Sequence, residues 1–379
     1  MTSRFLKLFI IFIVWTYPSL GWSYDEDSLS LHTSLTADGP YIIYGEDGTT
    51  KIISVDEQGK IQQQKYGMLP DGFKVKIISS DGKHRFEVPL HPVERQSWKL
   101  KQAKKLFVMS DPHGNLDCVV NLLHGNGIIN DKYQWIYGKN QLIILGDVFD
   151  RGNDAPQIFW LIYKLEHEAE QAGGKVIFTL GNHESMVLMN DLRYTEPKYK
   201  ALAKRLRVRY SELFGMNTEL GRWLCSRNTI ELIGNNLLLH AGLSRLFYLQ
   251  QLSIPWVNQA MERGLYKVIK ERKADNRLTY FLYSSNGPIW YRGMVEKDNN
   301  IFVPLTSDTL NLILKKYHAE RIIVGHTIFP DITSVYDGRV LTVNVDNALN
   351  RAEKKGRAIL FKKKHIYVVG DNGIIRVIK

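Results

Sequence analysis

Two carboxylates and an arginine directly follow one of the most apolar runs in the sequence. The run spans residues 141–145, and the heptad that ends it, residues 146–152, contains Asp147, Asp150 and Arg151. One carboxylate can hold a divalent metal while the other acts on protons, and an arginine can bind an anion through two hydrogen bonds. The heptad therefore predicts the edge of an active site, although a ligand-free acidic turn with a structural arginine would contain the same residue types.

Four other apolar runs end in similar residues. The first is followed by Asp111 and His113, the next by Asn182 and His183, and the last two by His240 and by His326. Ligands of open α/β folds bind outside the carboxyl ends of strands, so the five endings are expected to converge on one site. Each has a simpler explanation when taken alone. The two later histidines could be satisfied core residues, and Asp111 and Asn182 could cap helices.

The combined set offers carboxylate oxygens, imidazole nitrogens and one amide oxygen, without sulfur. Such donors suit divalent Mn, Fe or Zn. Glycines at positions 114, 146, 152, 181 and 325 would let the loops approach bound ions closely. The sequence therefore predicts a metal site, and the metal's identity stays open among these three.

From residue 105 onward, strand-like and helix-like runs alternate, which predicts an α/β (α+β) fold. Strands are expected at 106–110, 141–145, 175–180, 229–239, 321–324, 340–345, 358–362, 366–369 and 374–378. Helices are expected from the Asp111 loop to about residue 123 and at 155–171, 255–270 and 308–317. Residues 184–225 read as a helical insertion beside the site. The predicted architecture is a two-layered β-sandwich flanked by helices, within a domain at 99–379.

Residues 24–98 differ from the rest of the chain, because short β-rich runs there are separated by Asp-Gly turns and no helical periodicity is present. This pattern predicts a small N-terminal β-rich module. The module contains no convincing catalytic constellation, and it could dock a partner or only pack against the catalytic domain.

The first 23 residues have the pattern of a secretory signal. Arg4 and Lys7 precede the apolar run 8–15, and small residues at positions 19, 21 and 23 suit a signal peptidase. The run is short for a bilayer crossing, which takes about 20 residues. A periplasmic or secreted protein without stable membrane insertion is therefore expected, and an uncleaved anchor is the alternative.

The net charge of +11 and the pI of about 9.3 favour anionic partners. The basic stretches 99–105, 193–209 and 351–364 do not show the aromatic stacking platforms that nucleic-acid binders use, so no nucleic-acid binding is expected. Cys118 and Cys225 lie far apart, so no disulfide or cysteine-rich metal site is indicated and both are expected to be buried thiols.

The ordered set of motifs resembles the calcineurin-like metallophosphoesterases over roughly residues 106–344. Ile328 stands where many of that superfamily have a second histidine, which favours the phosphoprotein phosphatase branch. The signal, the β-rich lead segment and the sequence Ile-Trp-Tyr-Arg-Gly at 289–293 are most similar to the Shewanella-like, bacterial-type phosphatases. The Ser-Ala-Pro-Asn-Tyr loop of the eukaryotic enzymes has no counterpart near residues 342–349, so substrate side-chain preference stays open.

The resemblance implies two divalent ions and a role for each residue at the site. Asp111, His113 and Asp147 would bind one ion, and Asp147, Asn182, His240 and His326 the other, so that Asp147 bridges. A metal-bound hydroxide would attack phosphorus directly, with His183 as general acid and Asp150 orienting its imidazole. Arg151 and Arg292, with Asn182 and His183, would bind the phosphoryl group. Arg292 could instead be a surface arginine stacked on Trp290 or Tyr291.

The predicted function is that of a secreted dinuclear-metal phosphomonoesterase or protein phosphatase, with a phosphorylated protein or small molecule as substrate. A nucleotide or dinucleoside polyphosphate hydrolase, or a phosphodiesterase, would use the same groups. A non-catalytic phosphate- or metal-binding protein is a further alternative, although the intact pair of Asp150 and His183 argues against it.

Overall fold

The computed structural model describes residues 33–296, 300–346, 348–353 and 355–378. The predicted signal peptide and the start of the predicted N-terminal module lie outside the described residues. Cys118 and Cys225 are free cysteines; Cys225 is buried as predicted, whereas Cys118 is only partly buried. Within the described ranges, every helix is too short or too polar to cross a membrane.

The strands and helices alternate along the catalytic part of the chain. The strands are β1 (Asp38–Tyr44), β2 (Thr50–Val55), β3 (Ile61–Tyr66), β4 (Lys74–Ile78), β5 (Arg85–Pro89), β6 (Lys99–Leu100), β7 (Lys105–Met109), β8 (Gln141–Ile144), β9 (Lys175–Phe178), β10 (Ile230–Ile233), β11 (Asn236–Leu239), β12 (Arg321–Val324), β13 (Thr333–Val335), β14 (Val340–Thr342), β15 (Ala358–Lys362), β16 (His365–Gly370) and β17 (Gly373–Val377). The helices are α1 (Leu116–Gly125), α2 (Ala155–Gln171), α3 (Asn182–Leu188), α4 (Pro197–Leu206), α5 (Glu219–Cys225), α6 (Arg245–Leu249), α7 (Ile254–Gly264), α8 (Ile269–Asp275), α9 (Arg277–Leu282), α10 (Ser307–Tyr317) and α11 (Ala348–Ala352), with a 3₁₀ turn at Tyr210–Phe214.

The first large sheet has the order β17-β16-β15-β7-β8-β9. Strands β7, β8 and β9 are parallel, and β15 pairs antiparallel with β7. Parallel neighbours need long crossover connections, which α1 and α2 provide. Because these strands are covered on both faces, they are continuous apolar runs rather than alternating ones. The parallel arrangement places the carboxyl ends of the three strands at one edge.

The second sheet, β13-β14-β12-β11-β10-β6, packs face to face on the first. Val108 and Ile143 of the first sheet share a buried layer with Leu238 and Ile323 of the second. Helix α2 packs on the outer face of the first sheet, and α7 and α10 on that of the second. The predicted two-layered sandwich flanked by helices is confirmed.

The N-terminal strands form a three-stranded sheet, β1-β2-β3, and a hairpin, β4-β5, so the predicted β-rich module is confirmed. Both pack on α2 and share one hydrophobic core with it. The indole Nε1 of Trp160 donates to the carbonyl of Pro40 at 3.0 Å, and the Gln157 amide donates to the carbonyl of Ile78 at 3.1 Å. The module is therefore packed as part of the catalytic core.

The structure differs from the sequence prediction in several places, and the short helices α6, α9 and α11 were not predicted. The predicted strand 229–239 is a hairpin of β10 and β11, because Gly234, with φ of +58°, turns the chain tightly between them. The predicted helix 255–270 divides into α7 and the start of α8. Strands β6 and β13 were missed, since two or three residues are too few to show a periodic pattern.

We expect Trp160→Ala to lower the free energy of unfolding by about 3–5 kcal/mol, the usual cost of removing a fully buried aromatic side chain. Because the module and the catalytic part share a core, chemical denaturation followed by circular dichroism should still show one transition. Leu246→Ala, at an exposed position of α6, is the control and should change stability by no more than about 0.5 kcal/mol. Two separate transitions in the wild type would contradict the shared core.

Candidate active site

The five predicted strand endings converge at one place in the structure. The loops that follow β7, β8 and β9 reach this place from the first sheet. The loops that follow β11 and β12 reach it from the second. The side chains brought together there are buried, and they are Asp111, His113, Asp147, Asn182, His183, His240 and His326. So many buried polar groups are unusual in a protein core, because the free-energy cost of removing them from water must be offset by hydrogen bonds, ion pairs or bound metal.

Several of these residues adopt left-handed backbone conformations. The φ angles are +51° at Asp111, +41° at His113, +57° at Asp147 and +60° at His326. Non-glycine residues rarely adopt this region, and such strain concentrates at functional sites. The loops are held together by backbone hydrogen bonds. In one of them the N–H of His113 donates to the carbonyl of Asp147 at 3.0 Å.

Two pairs of glycines allow the loops to touch. A Cβ atom on Gly114 would lie 2.6 Å from the carbonyl carbon of Gly152, and one on Gly146 would lie 2.5 Å from the backbone nitrogen of Gly181. These separations exclude any larger residue without movement of the backbone. The predicted close approach of the loops therefore has a direct steric basis.

Asp147 lies at the centre of the site. Its Oδ2 is 3.1 Å from Nε2 of His240, 3.8 Å from Nε2 of His113 and 3.9 Å from Nε2 of His183. Two groups of candidate ligand atoms, each within 4.8 Å of one another, share this carboxylate: one with His113 and His183, the other with His240 and His326. Burial acts to raise the pKa of Asp147, but His240 and His183 outweigh burial and hold it well below the usual value.

The atoms around His240 are arranged for a cation. Its Nδ1 donates to the carbonyl of Leu145 at 2.6 Å, so a neutral ring has only a lone pair left at Nε2. That nitrogen lies 2.9 Å from Oδ1 of Asn182 and 3.1 Å from Nδ1 of His326. Burial acts to lower the pKa of His240, but Asp147 and Asp111 outweigh it and raise the pKa to about 9. The cluster therefore favours a positive charge at this point.

Asp111 and His326 carry buried atoms that still need a partner. Oδ2 of Asp111 accepts the backbone N–H of His326 at 3.1 Å, but Oδ1 of Asp111 and Nε2 of His326 are buried without any hydrogen bond. Burial, reinforced by the charge of Asp147, raises the pKa of Asp111 to about 7. Buried polar atoms without partners are rare, and this oxygen and nitrogen set fits Mn, Fe or Zn.

His183 and Asp150 form a buried pair beside the shared carboxylate. Nδ1 of His183 donates to Oδ2 of Asp150 at 2.6 Å, and the hydroxyl of Thr195 donates to the other carboxylate oxygen, also at 2.6 Å. Burial acts to lower the pKa of His183, but Asp147 and Asp150 outweigh it, so the pKa is raised. Thr195 was not predicted, because a threonine in the loop after α3 has no distinguishing sequence signal.

Glu184 holds the loop that carries Asp147. Its carboxylate accepts the backbone N–H groups of Asp147 at 2.9 Å, Val148 at 2.8 Å and Gly181 at 2.8 Å. All of its bonds go to the backbone of two catalytic loops. It therefore fixes the position of the ligands rather than joining them.

The two predicted phosphate-binding arginines both lie at the site. The guanidinium of Arg151 is half-buried and makes no hydrogen bond or ion pair with any residue that the structure describes. Arg292 donates to the carbonyl of His326 at 3.3 Å and to the hydroxyl of Thr327 at 3.2 Å. Its Nη1 is also 3.8 Å from the carboxylate of Glu296. Arg151 is thus the cation available to an incoming anion, and Arg292 is anchored beside the second ligand cluster.

Comparison with known proteins agrees with this geometry. The family model for calcineurin-like phosphoesterase matches residues 104–330. The chain belongs to the calcineurin-like phosphoesterase family. A solved cold-active protein-tyrosine phosphatase from a psychrophilic Shewanella species is 28% identical to this phosphoesterase, with a TM-score of 0.81 over 90% of this chain and 99% of that one.

Two curated relatives extend the comparison. Shewanella-like protein phosphatase 1 of Plasmodium berghei is 29% identical over 234 residues, which is 61% of this chain and 63% of the relative. An uncharacterized protein of Schizosaccharomyces pombe is 29% identical over 269 residues, or 69% of this chain and 78% of the relative. These relatives support the predicted phosphoprotein phosphatase branch, and the site of this phosphoesterase contains side-chain clusters that could hold divalent metals.

We expect Asp147→Asn to remove bound metal and phosphatase activity together, because the shared carboxylate would lose its charge. Elemental analysis of the purified variant, combined with an aryl phosphate assay, measures both. Asp131→Asn, which changes a fully exposed carboxylate, should affect neither. A variant at Asp147 that retained two metal ions and wild-type turnover would exclude the bridging role.

Proposed function

We propose that the protein is a secreted or periplasmic phosphatase that hydrolyses phosphate monoesters of a protein or a small molecule at a centre of two divalent metal ions. The observation that carries the proposal is the single carboxylate of Asp147, which lies in one cluster with His240 and His326 and in another with His113 and His183, the ring of His183 being hydrogen-bonded to Asp150. Two clusters that share one carboxylate could hold two ions close together, as two-metal hydrolysis needs.

We assign the donors to two sets that share Asp147. Asp111, His113 and Asp147 would hold one ion, and Asp147, Asn182, His240 and His326 would hold the other. When bound, divalent Mn, Fe or Zn would polarise the phosphoryl oxygens and lower the pKa of water. Burial lowers the pKa of His113 to about 3, so its ring is neutral and its Nε2, which faces Asp147, is free to bind a cation.

Arg151 and Arg292 would bind the phosphoryl oxygens. Phosphoryl transfer depends on neutralising negative charge that spreads over these oxygens, so cations fixed in place before the reaction are effective. The unpaired guanidinium of Arg151 can donate two parallel hydrogen bonds without first breaking an ion pair.

His183 would protonate the oxygen of the leaving alcohol. Although burial acts to lower its pKa, the carboxylates of Asp147 and Asp150 raise that pKa and so favour the protonated ring, and the bond from Nδ1 to Asp150 leaves Nε2 as the atom that donates. The hydroxyl of Thr195 fixes Asp150 in turn. The phosphoryl group would pass directly to water, without a phosphoenzyme.

The experiment that tests the proposal combines metal analysis of the purified protein with a substrate panel. The panel contains p-nitrophenyl phosphate, phosphotyrosine and phosphoserine peptides, a nucleoside triphosphate, a dinucleoside polyphosphate and a bis-aryl phosphate. The likeness to a protein-tyrosine phosphatase supports including phosphotyrosine. Hydrolysis of monoesters with Mn added is expected. Exclusive hydrolysis of the polyphosphates or of the diester would overturn the monoesterase assignment. If none of the substrates were hydrolysed, the protein would instead be a non-catalytic phosphate- or metal-binding protein.

We expect His183→Asn to keep its metal but to lower turnover by roughly 10²- to 10⁴-fold, the usual contribution of a general acid. The loss should be larger for alkyl than for aryl phosphates, because a phenolate leaves more readily without a proton. His124→Asn, at an exposed position of α1, is the control and should retain activity. Equal losses for both leaving groups would contradict the assignment of His183.

We expect the protein, expressed at full length in a Gram-negative host, to appear in the periplasm with its N-terminus at residue 24, because the first 23 residues have the pattern of a cleaved signal. Cell fractionation and mass spectrometry of the mature protein measure both. Replacing Ile11 with Asp should abolish export by interrupting the apolar run. A membrane-bound protein that keeps residue 1 would instead indicate an uncleaved anchor.

A further inference from the structure

A groove of about 250 Å³ leads from the candidate active site to the N-terminal module. His113 and Arg151 line its inner end, and residues of the turn between β4 and β5 line its outer end, among them Ser80 and Asp81. The groove is therefore continuous with the place where the phosphoryl group would bind. One of its walls comes from a part of the chain that supplies none of the candidate metal ligands.

The turn that forms this wall is fixed to the catalytic domain. The N–H and hydroxyl of Ser80 donate to the carboxylate of Asp154 at 2.6 Å and 3.0 Å. The ring of His84 is held on both sides, with Nε2 2.6 Å from Oδ1 of Asp117 and Nδ1 3.0 Å from the hydroxyl of Tyr133. These bonds connect the turn to α1 and to the loop after Arg151. The groove is thus formed before any substrate arrives.

The two ends of the groove differ in charge. Two arginines line the groove: Arg151, at the inner end, whose guanidinium has no hydrogen bond or ion pair with a described residue, and Arg351, which lies 3.2 Å from Asp346. Three carboxylates, those of Asp81, Asp117 and Asp154, line the outer end. Lys83 pairs with Asp81 at 2.7 Å and lies 3.9 Å from Asp117, and the ring of His84 is bound to Asp117 as well. With His84 neutral, the three carboxylates still outnumber the one lysine among the described residues at this end. A ligand with a phosphate at one end and a cation at the other matches this distribution.

The groove also offers an unused hydrogen-bonding group. The side chain of Asn153 lines it, is exposed, and makes no hydrogen bond within the described ranges of the chain. An amide can donate to and accept from a peptide backbone. Polar walls with few apolar groups suit an extended polypeptide better than a flat aromatic ligand.

We propose that this groove binds the polypeptide next to the phosphorylated residue and favours a lysine or arginine close to that residue. The inference rests on the proposed phosphatase function and deepens it, because it assigns the β-rich module a part in choosing the substrate. The module would act on extended protein substrates only, since a small aryl phosphate reaches no further than the arginines.

The test compares wild-type protein with Asp81→Asn and Asn153→Lys, both at exposed positions. Asp47→Asn is a matched control, because Asp47 also lies in an Asp-Gly turn of the module, accepts hydrogen bonds from Thr49 and pairs with a lysine, but does not line the groove. The substrates are p-nitrophenyl phosphate and two phosphotyrosine peptides that differ only in lysine or glutamine at the flanking positions.

We expect wild-type kcat/KM to favour the lysine peptide, and both groove variants to lower this preference by about two- to fivefold, the range for exposed charge pairs. Hydrolysis of p-nitrophenyl phosphate, and all activities of Asp47→Asn, should be unchanged. Equal use of both peptides by the wild type, or equal effects of Asp81→Asn and Asp47→Asn, would overturn the inference while leaving the phosphatase proposal intact. Failure of the metal-loaded wild type to hydrolyse p-nitrophenyl phosphate would instead refute the proposed function.

Discussion

The structure of the site depends on one buried carboxylate, that of Asp147. A charge removed from water is costly unless opposite charges and hydrogen bonds surround it, and here histidines on three sides and the N–H of His183 do so. The same requirement fixes its neighbours: Glu184 holds the loop through its backbone N–H groups, and Nδ1 of His240 donates to the carbonyl of Leu145. The surroundings that stabilise this anion are also those that suit metal ions.

The side chains of the candidate site come together on loops whose backbone is strained. Six residues at or near the candidate site, among them Asp150 and Arg151, adopt left-handed conformations, and pairs of glycines let neighbouring loops touch. Such conformations persist only where the surrounding structure enforces them. The two packed sheets provide that rigidity, since every loop begins at the end of a strand that is buried on both faces.

The N-terminal module is connected to the site through α2 and the loop before it. Trp160 joins the module to the hydrophobic core, and Asp154, at the start of α2, joins the turn at Ser80 to the catalytic loop. A segment without metal ligands thereby becomes one wall of a groove at the site. Its position follows from packing and hydrogen bonding, and none of the local patterns in residues 24–98 indicated it.

The sequence by itself determined the alternation of strands and helices, the two-layered class of fold and the polar residues at five strand ends, because apolar runs and the residues that end them are local features. Only the tertiary structure decided that Thr195 supports Asp150, that His240 donates to Leu145, and that Ser80 contacts Asp154. Those contacts join segments between 45 and 95 residues apart. A local pattern cannot specify such contacts, since they depend on how the two sheets and the module pack.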